Sequence, residues 1–192
     1  MKKRRITQNE LSNKVIRYCS PTLAGLKSGN MFSMPCKNFQ DLLCDIRQLN
    51  RRLDAKGVKI IPLRHSNERC LLYVFRPSAL IGDLADEQAR QILRDSGYKS
   101  CKPSECIGRL LKRVKFSEEF PHEIGLFLGY PPEDVRGYMM DGGRCPKCTG
   151  CWQVYGDESS ALVKFEMFRC CTRIFCRMAA MGLSIEELAV AG

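Results

Sequence analysis

Three cysteines stand at two-residue intervals in Cys145-Pro146-Lys147-Cys148-Thr149-Gly150-Cys151. Two residues between thiolates allow both sulfurs to turn toward one ion while backbone amides point at them, the spacing of zinc knuckles and iron–sulfur loops. A tetrahedral centre needs a fourth ligand, and the chain has only two histidines. Cys170, Cys171 and Cys176 are the near candidates; on a helix they project about 100–140° apart, so one of them, taken as Cys170, can complete the set. The expected cofactor is then zinc or an iron–sulfur cluster. The other reading of the same residues is reduced thiols in a loop, or a redox CxxC pair.

A second constellation pairs Cys19 with His122 as thiol nucleophile and base, the chemistry of a cysteine-dependent hydrolase or transferase. Glu123, Asp134 and Asp157 are available to orient the base, and nothing in the sequence selects among them. The plainer reading makes Cys19 a small buried hydrophobe and His122 a locally bonded first-turn residue. His122-Glu123 does not begin a zincin helix, because position 126 is leucine where the second histidine is required.

A third constellation is a helix-turn-helix pattern over residues 121–139. It has a small residue at the crossing (Gly125), a turn residue able to take positive φ (Gly129) and an aliphatic anchor (Val135). Pro131-Pro132-Glu133-Asp134 would open the recognition helix with carboxylates, the wrong charge against phosphate, and helix capping explains those acids equally well. The fourth constellation is Ala24-Gly25-Leu26-Lys27-Ser28-Gly29-Asn30. Its lysine precedes the second glycine and no Gly-Lys-Ser/Thr follows, so it is no Walker loop; a glycine-rich connection into Met31-Phe32-Ser33 accounts for it, with a small anionic ligand as the functional option.

These residues must be held by a fold that 192 residues with 44% hydrophobic content can build around a real core. The net charge of +10 is partly a tail: residues 1–5 hold four basic groups and no acid, which leaves +6 for the remainder. Within the body, Lys99, Lys102, Arg109, Lys112, Arg113 and Lys115 face Glu105 alone, so the Lys99–Lys115 stretch is either a solvated helix face or a surface for nucleic acid or a small anion. No apolar run approaches the length needed to span a bilayer, and no hydrophobic signal core follows Lys2-Lys3-Arg4-Arg5, so a cytoplasmic location with reduced cysteines and no membrane partner is expected.

Periodicity predicts helices over residues 10–19, ended near Pro21, and over 39–53, where Phe39, Leu42, Leu43, Ile46, Leu49 and Leu53 recur at helical spacing. Residues 58–63 and 70–75 predict an antiparallel hairpin, and 152–155 a further strand. More helices are expected through Ala85, Ala89, Ile92 and Leu93 until Gly97, through Ile107–Val114, from Pro121 to Leu128, and from Pro132 over Val135 and Tyr138. The last long helix, 159–181, should bury Val163, Met167, Phe168, Cys171, Ile174, Phe175 and Met178 with Arg169, Arg173 and Arg177 opposite, before a capping box at Ser184 and Glu187. The expected class is α+β: a small, mainly antiparallel sheet covered by several helices, a basic flexible tail over 1–9 and one domain over 10–192.

Four segments carry a family resemblance. They are Tyr18-Cys19-Ser20-Pro21-Thr22-Leu23-Ala24-Gly25-Leu26-Lys27-Ser28-Gly29-Asn30, Leu72-Tyr73-Val74-Phe75-Arg76-Pro77, the block from Phe120-Pro121-His122-Glu123 through Gly129-Tyr130-Pro131-Pro132-Glu133-Asp134-Val135, and Trp152-Gln153-Val154-Tyr155-Gly156-Asp157. Together they resemble the bacterial family known as domain of unknown function 3793, over nearly the whole chain. The resemblance implies a cytoplasmic protein of an anaerobic Gram-positive bacterium with no established activity, and it carries over no catalytic residue. The best functional expectation is metal- or redox-linked ligand binding at the CxxCxxC loop, with a DNA- or RNA-binding module and a Cys19/His122 enzyme as alternatives.

Overall fold

The structure, a computed structural model, describes residues 8–100, 102–117 and 119–192. The expected tail lies outside them apart from Gln8 and Asn9, which already begin the first helix, α1 (Gln8–Leu23). That helix does not stop before Pro21. Cys19 leaves the helical region (φ −126°, ψ 17°), the chain kinks there, and Pro21 is accommodated beyond the kink. The Ser20 hydroxyl donates back to the Ile16 carbonyl at the bend.

Strand β1 (Gly29–Pro35) follows, then α2 (Phe39–Leu53), whose first turn is capped by the Asn38 side chain accepting from the amides of Gln40 and Asp41. Strands β2 (Lys59–Ser66) and β3 (Arg69–Phe75) form the expected hairpin, turned by Asn67 and Glu68 at φ 49° and 55°. The sequence does not announce β1, which pairs antiparallel with β3 from Gly29 opposite Phe75 to Pro35 opposite Arg69. The sheet order is therefore β1-β3-β2, with β3 in the centre.

Alternation along β3 sends successive side chains to opposite faces. Cys70, Leu72 and Val74 join Leu11, Val15, Leu42 and Leu49 in a core under α1 and α2. Tyr73 and Phe75 join a second core under α3 (Pro77–Ala85), α4 (Glu87–Asp95), α5 (Pro103–Phe116), α6 (Ile124–Phe127) and α7 (Pro132–Asp141). The fold is thus an α+β arrangement with helices on both faces of a small antiparallel sheet.

A second, two-stranded sheet, β4 (Cys148–Thr149) with β5 (Gln153–Val154), packs Trp152 and Val154 on α8 (Glu158–Ala180) beside Phe165 and Phe168. The buried arc of α8 matches the expected one in part, with Phe175 and Met178 half-buried against the core under α1 and α2. Ala161, Phe165, Phe168 and Cys171 are buried, whereas Val163, Met167 and Ile174 are 69%, 40% and 49% exposed. The reason is that the β4–β5 hairpin covers α8 at Ala161, Phe165 and Phe168, while the core that includes α1 covers Phe175 and Met178 further along. The last turn, α9 (Ile185–Leu188), carries the expected capping box of Ser184 and Glu187. No helix among the described residues is long and apolar enough to cross a membrane.

Candidate functional site

Lys27 sits in the turn between α1 and β1, and its side chain is pulled under the surface rather than out of it: the residue is 9% exposed. Its Nζ lies 5.0 Å from the centroid of the Tyr130 ring and 5.5 Å from that of Phe168. Such cation–π contacts contribute about 0.5–2 kcal/mol each, less than the cost of burying an ammonium without a counter-ion. Burial consequently pushes the Lys27 amine down to about 8, against weaker support from the Cys151 and Cys19 thiols and the Asp83 carboxylate. Among the described residues the amine makes no hydrogen bond and no ion pair.

The amine faces an open cavity of about 660 Å³ between α1, the β4–β5 hairpin and α8. Arg17 comes from α1, and Arg169 and Arg173 from α8; no carboxylate among the described residues lines the cavity. Arg169 shares its charge with Glu166 (Nη2 to Oε2, 2.9 Å) on the outer side. Asn30, on β1, accepts from the Thr22 hydroxyl at 2.8 Å, which commits its carboxamide oxygen and leaves its NH₂ as the group available to a ligand. Cys151 closes the wall opposite; burial raises its thiol pKa, while Lys27 and Arg169 oppose that rise.

The hairpin that carries Cys151 is fixed by one buried carboxylate. Asp134, 3% exposed on α7, accepts from Trp152 Nε1, the Tyr155 amide and the Gly156 amide, each at 2.7 Å. Trp152 stacks on Tyr130 at 5.0 Å, and the Tyr130 hydroxyl donates to the Cys151 carbonyl at 3.2 Å. Burial lifts that phenol to about 12, so it stays protonated at neutral pH. Lys27, Tyr130 and Cys151 are therefore parts of one packed unit.

In the CxxCxxC segment, Cys148 pairs with Val154 across the β4–β5 hairpin and Gly150 N–H donates to Trp152 O. Desolvation, and after it the neighbouring Glu158 carboxylate, raises the Cys148 thiol pKa; Cys145 is exposed at φ 51°, and Cys151 lies near Lys27. Cys170 accepts from Arg173 Nη2 at 3.5 Å on α8. Among the described residues no three His, Cys, Asp or Glu side chains are grouped to hold a metal ion.

Cys19 is fully buried in the core below the Lys27 cavity, and its thiol pKa is driven far up by burial. His122 packs edge-on against Tyr138 at 5.0 Å beside a separate apolar cavity of about 220 Å³. No contact among the described residues joins the two, and a sealed thiol that resists ionisation is a poor nucleophile. The helix-turn-helix pattern is realised as a corner: a Cβ on Gly125 would lie 2.7 Å from Val135 Cγ2, and Gly129 has φ 68°. Yet α6 is a single turn, and Asp134, at the start of the second helix, is spent on the hairpin. In the basic stretch, Arg113 turns inward to Glu123 (Nε to Oε1, 2.8 Å), which also accepts from Tyr98, while Lys99, Lys112 and Lys115 remain exposed.

Of the cavity residues, Lys27 and Asn30 lie in the glycine-flanked segment, Cys151 and Cys176 among the cysteines, and Arg169 and Arg173 on the last long helix, whereas nothing in the sequence brings these segments together with Arg17 and Tyr130; only the tertiary fold assembles them. Neither the curated proteins nor the solved structures contain a match to the chain. Residues 15–189 do match a family described as "Protein of unknown function (DUF3793)", and the chain belongs to that family.

Proposed function

We propose that the protein binds a small anion bearing a carboxylate or phosphate group in the Lys27 cavity. The observation that carries this reading is a lysine nine-tenths buried, aimed into a cavity with no acid on its described walls and with arginines on two sides. An ammonium in that position is under-compensated, and an incoming anion supplies the missing counter-charge in a partly desolvated site where the interaction is strengthened. The Arg169 and Arg173 guanidinium groups offer forked donors to a planar or tetrahedral oxyanion. Cys151 puts a thiol at the same wall, which retains the thiol-linked ligand binding expected from the cysteine run.

Thermal unfolding with increasing inorganic phosphate or malonate, at constant ionic strength set with chloride, tests the reading. Binding to the folded chain stabilises it by about 2.7 kcal/mol at 100 times Kd. Lys27→Met and the Arg169→Ala/Arg173→Ala double variant should each lose most of this response while remaining folded. A melting temperature indifferent to both anions, or a response that survives Lys27→Met undiminished, would overturn it.

A further inference from the structure

Three arginines already give this cavity its positive charge, so the chemistry a buried lysine adds needs its own account. Arginine cannot lose its proton under ordinary conditions, whereas lysine can when its ammonium is desolvated. We propose that the Lys27 amine captures the carbonyl carbon of a small carbonyl-bearing anion, one that carries an aldehyde or ketone beside its carboxylate or phosphate, as an imine in this cavity. This rests on the anion-binding reading and names the ligand class.

The geometry meets the three requirements of such a step. First, the nucleophile is held: Lys27 lies next to Ser28, whose carbonyl accepts from Arg76 N–H at 2.8 Å, and Gly29 beyond it lies so close to Phe127 O that a Cβ would sit 2.5 Å away. Second, the amine is kept between aromatic faces with no acid bonded to it, so its free-base fraction at pH 7 is on the order of a hundredfold above that of an exposed lysine. Third, Arg169 and Arg173 give the anionic end of the ligand a place that leaves its carbonyl free to meet the amine, the positioning that raises effective concentration.

The step is balanced without an oxidant or a metal. The neutral amine adds to the carbonyl carbon; an N–C bond forms, the C=O π pair moves to oxygen, and the nitrogen's proton passes to that oxygen. The resulting carbinolamine expels its hydroxyl, with the second nitrogen proton, as water while the nitrogen lone pair closes the C=N bond. Hydrolysis reverses both stages.

The test uses the full chain, glyoxylate as probe and added cyanoborohydride, which reduces an imine to a stable secondary amine. Peptide mapping should find a carboxymethyl group on Lys27 at least about tenfold sooner at pH 7 than on the exposed Lys37 and Lys112, as the free-base fractions require. Acetaldehyde, which lacks the carboxylate, should label Lys27 several-fold more slowly when each rate is divided by that of the exposed Lys37, and Arg169→Ala/Arg173→Ala should erase the difference between the two aldehydes. Lys27→Arg keeps the charge and the fold and should show no labelling at position 27, with labelling elsewhere unchanged. Labelling of Lys27 no faster than that of Lys37 overturns the imine; if phosphate still stabilises the wild type through Lys27, anion binding stands alone, and if it does not, both readings fall. Equal labelling by the two aldehydes in the wild type, relative to Lys37, overturns the ligand class.

Discussion

At the scale of single residues, the cavity is organised around a conflict between burial and charge at Lys27. The conflict has a measurable sign. The folded chain releases the Lys27 proton near pH 8 and the unfolded chain near 10.5, so between those values the unfolded state binds more protons and folding stability gains with rising pH. The burden of the buried ammonium is full below pH 8 and gone above about 10.5, a difference of about 3 kcal/mol. Buried thiols and phenols act the other way above pH 9, because Cys19 and Tyr73 ionise more readily in the unfolded chain. The informative quantity is therefore the stability of the wild type minus that of Lys27→Met, followed by denaturant unfolding from pH 7 to 10.5. It should rise toward the higher pH; a flat difference would mean that the amine is solvated after all. Lys27 is visible in the sequence as a lysine between glycines, but its burial is not, because the rings that cover it belong to Tyr130 and Phe168, more than a hundred residues away.

At the scale of elements, legibility follows the strength of local signals. Helix α2 has the bounds its pattern predicts because six apolar positions repeat at one period, and the β2–β3 hairpin forms where two β-rich runs flank Asn67-Glu68. Strand β1 gives no such signal, since Gly29-Asn30-Met31-Phe32-Ser33-Met34-Pro35 holds no β-branched residue and begins and ends on breakers; pairing with β3 overrides its weak propensity. The buried face of α8 is the predicted one only in part: Phe168, Cys171, Phe175 and Met178 are covered, but Ala161 and Phe165 replace Val163 and Met167 in the first half because the β4–β5 hairpin packs there. The β4–β5 hairpin has just two residues in each strand and depends on Asp134 from α7. Asp134→Ala would leave the Trp152 indole and two backbone amides without their acceptor, and should cost about 3 kcal/mol or more in denaturant unfolding. Asp134→Asn, which keeps one acceptor oxygen, should cost clearly less. Equal and small losses in both variants would show that the hairpin is held by Trp152 packing alone.

For the molecule as a whole, the α+β class and the helix-covered antiparallel sheet are readable from composition and periodicity, whereas the way distant segments are tied together is not. Arg76 illustrates the difference. In the sequence it is only the residue before Pro77; in the fold its guanidinium donates to the carbonyls of Thr22, Leu23, Lys56 and Val190 at 2.6–2.9 Å, joining the end of α1, the turn after α2 and the segment after α9. Four carbonyls from three segments converge on one planar fork, a geometry lysine cannot reproduce.

The central place of β3 extends this to the molecule's fluctuations. Both edges of β3 are hydrogen-bonded, to β1 and β2, and each face is sealed by a different core. Its amides can meet solvent only when both layers separate at once, so in deuterated buffer they should exchange at the slow limit set by global unfolding. The β4–β5 amides, with two residues per strand and one supporting carboxylate, should exchange by local opening and respond little to mild denaturant. A ligand seated against Cys151 and Lys27 would slow that local opening while leaving β3 to follow the whole molecule, so amide exchange could locate occupancy of the cavity whatever molecule fills it.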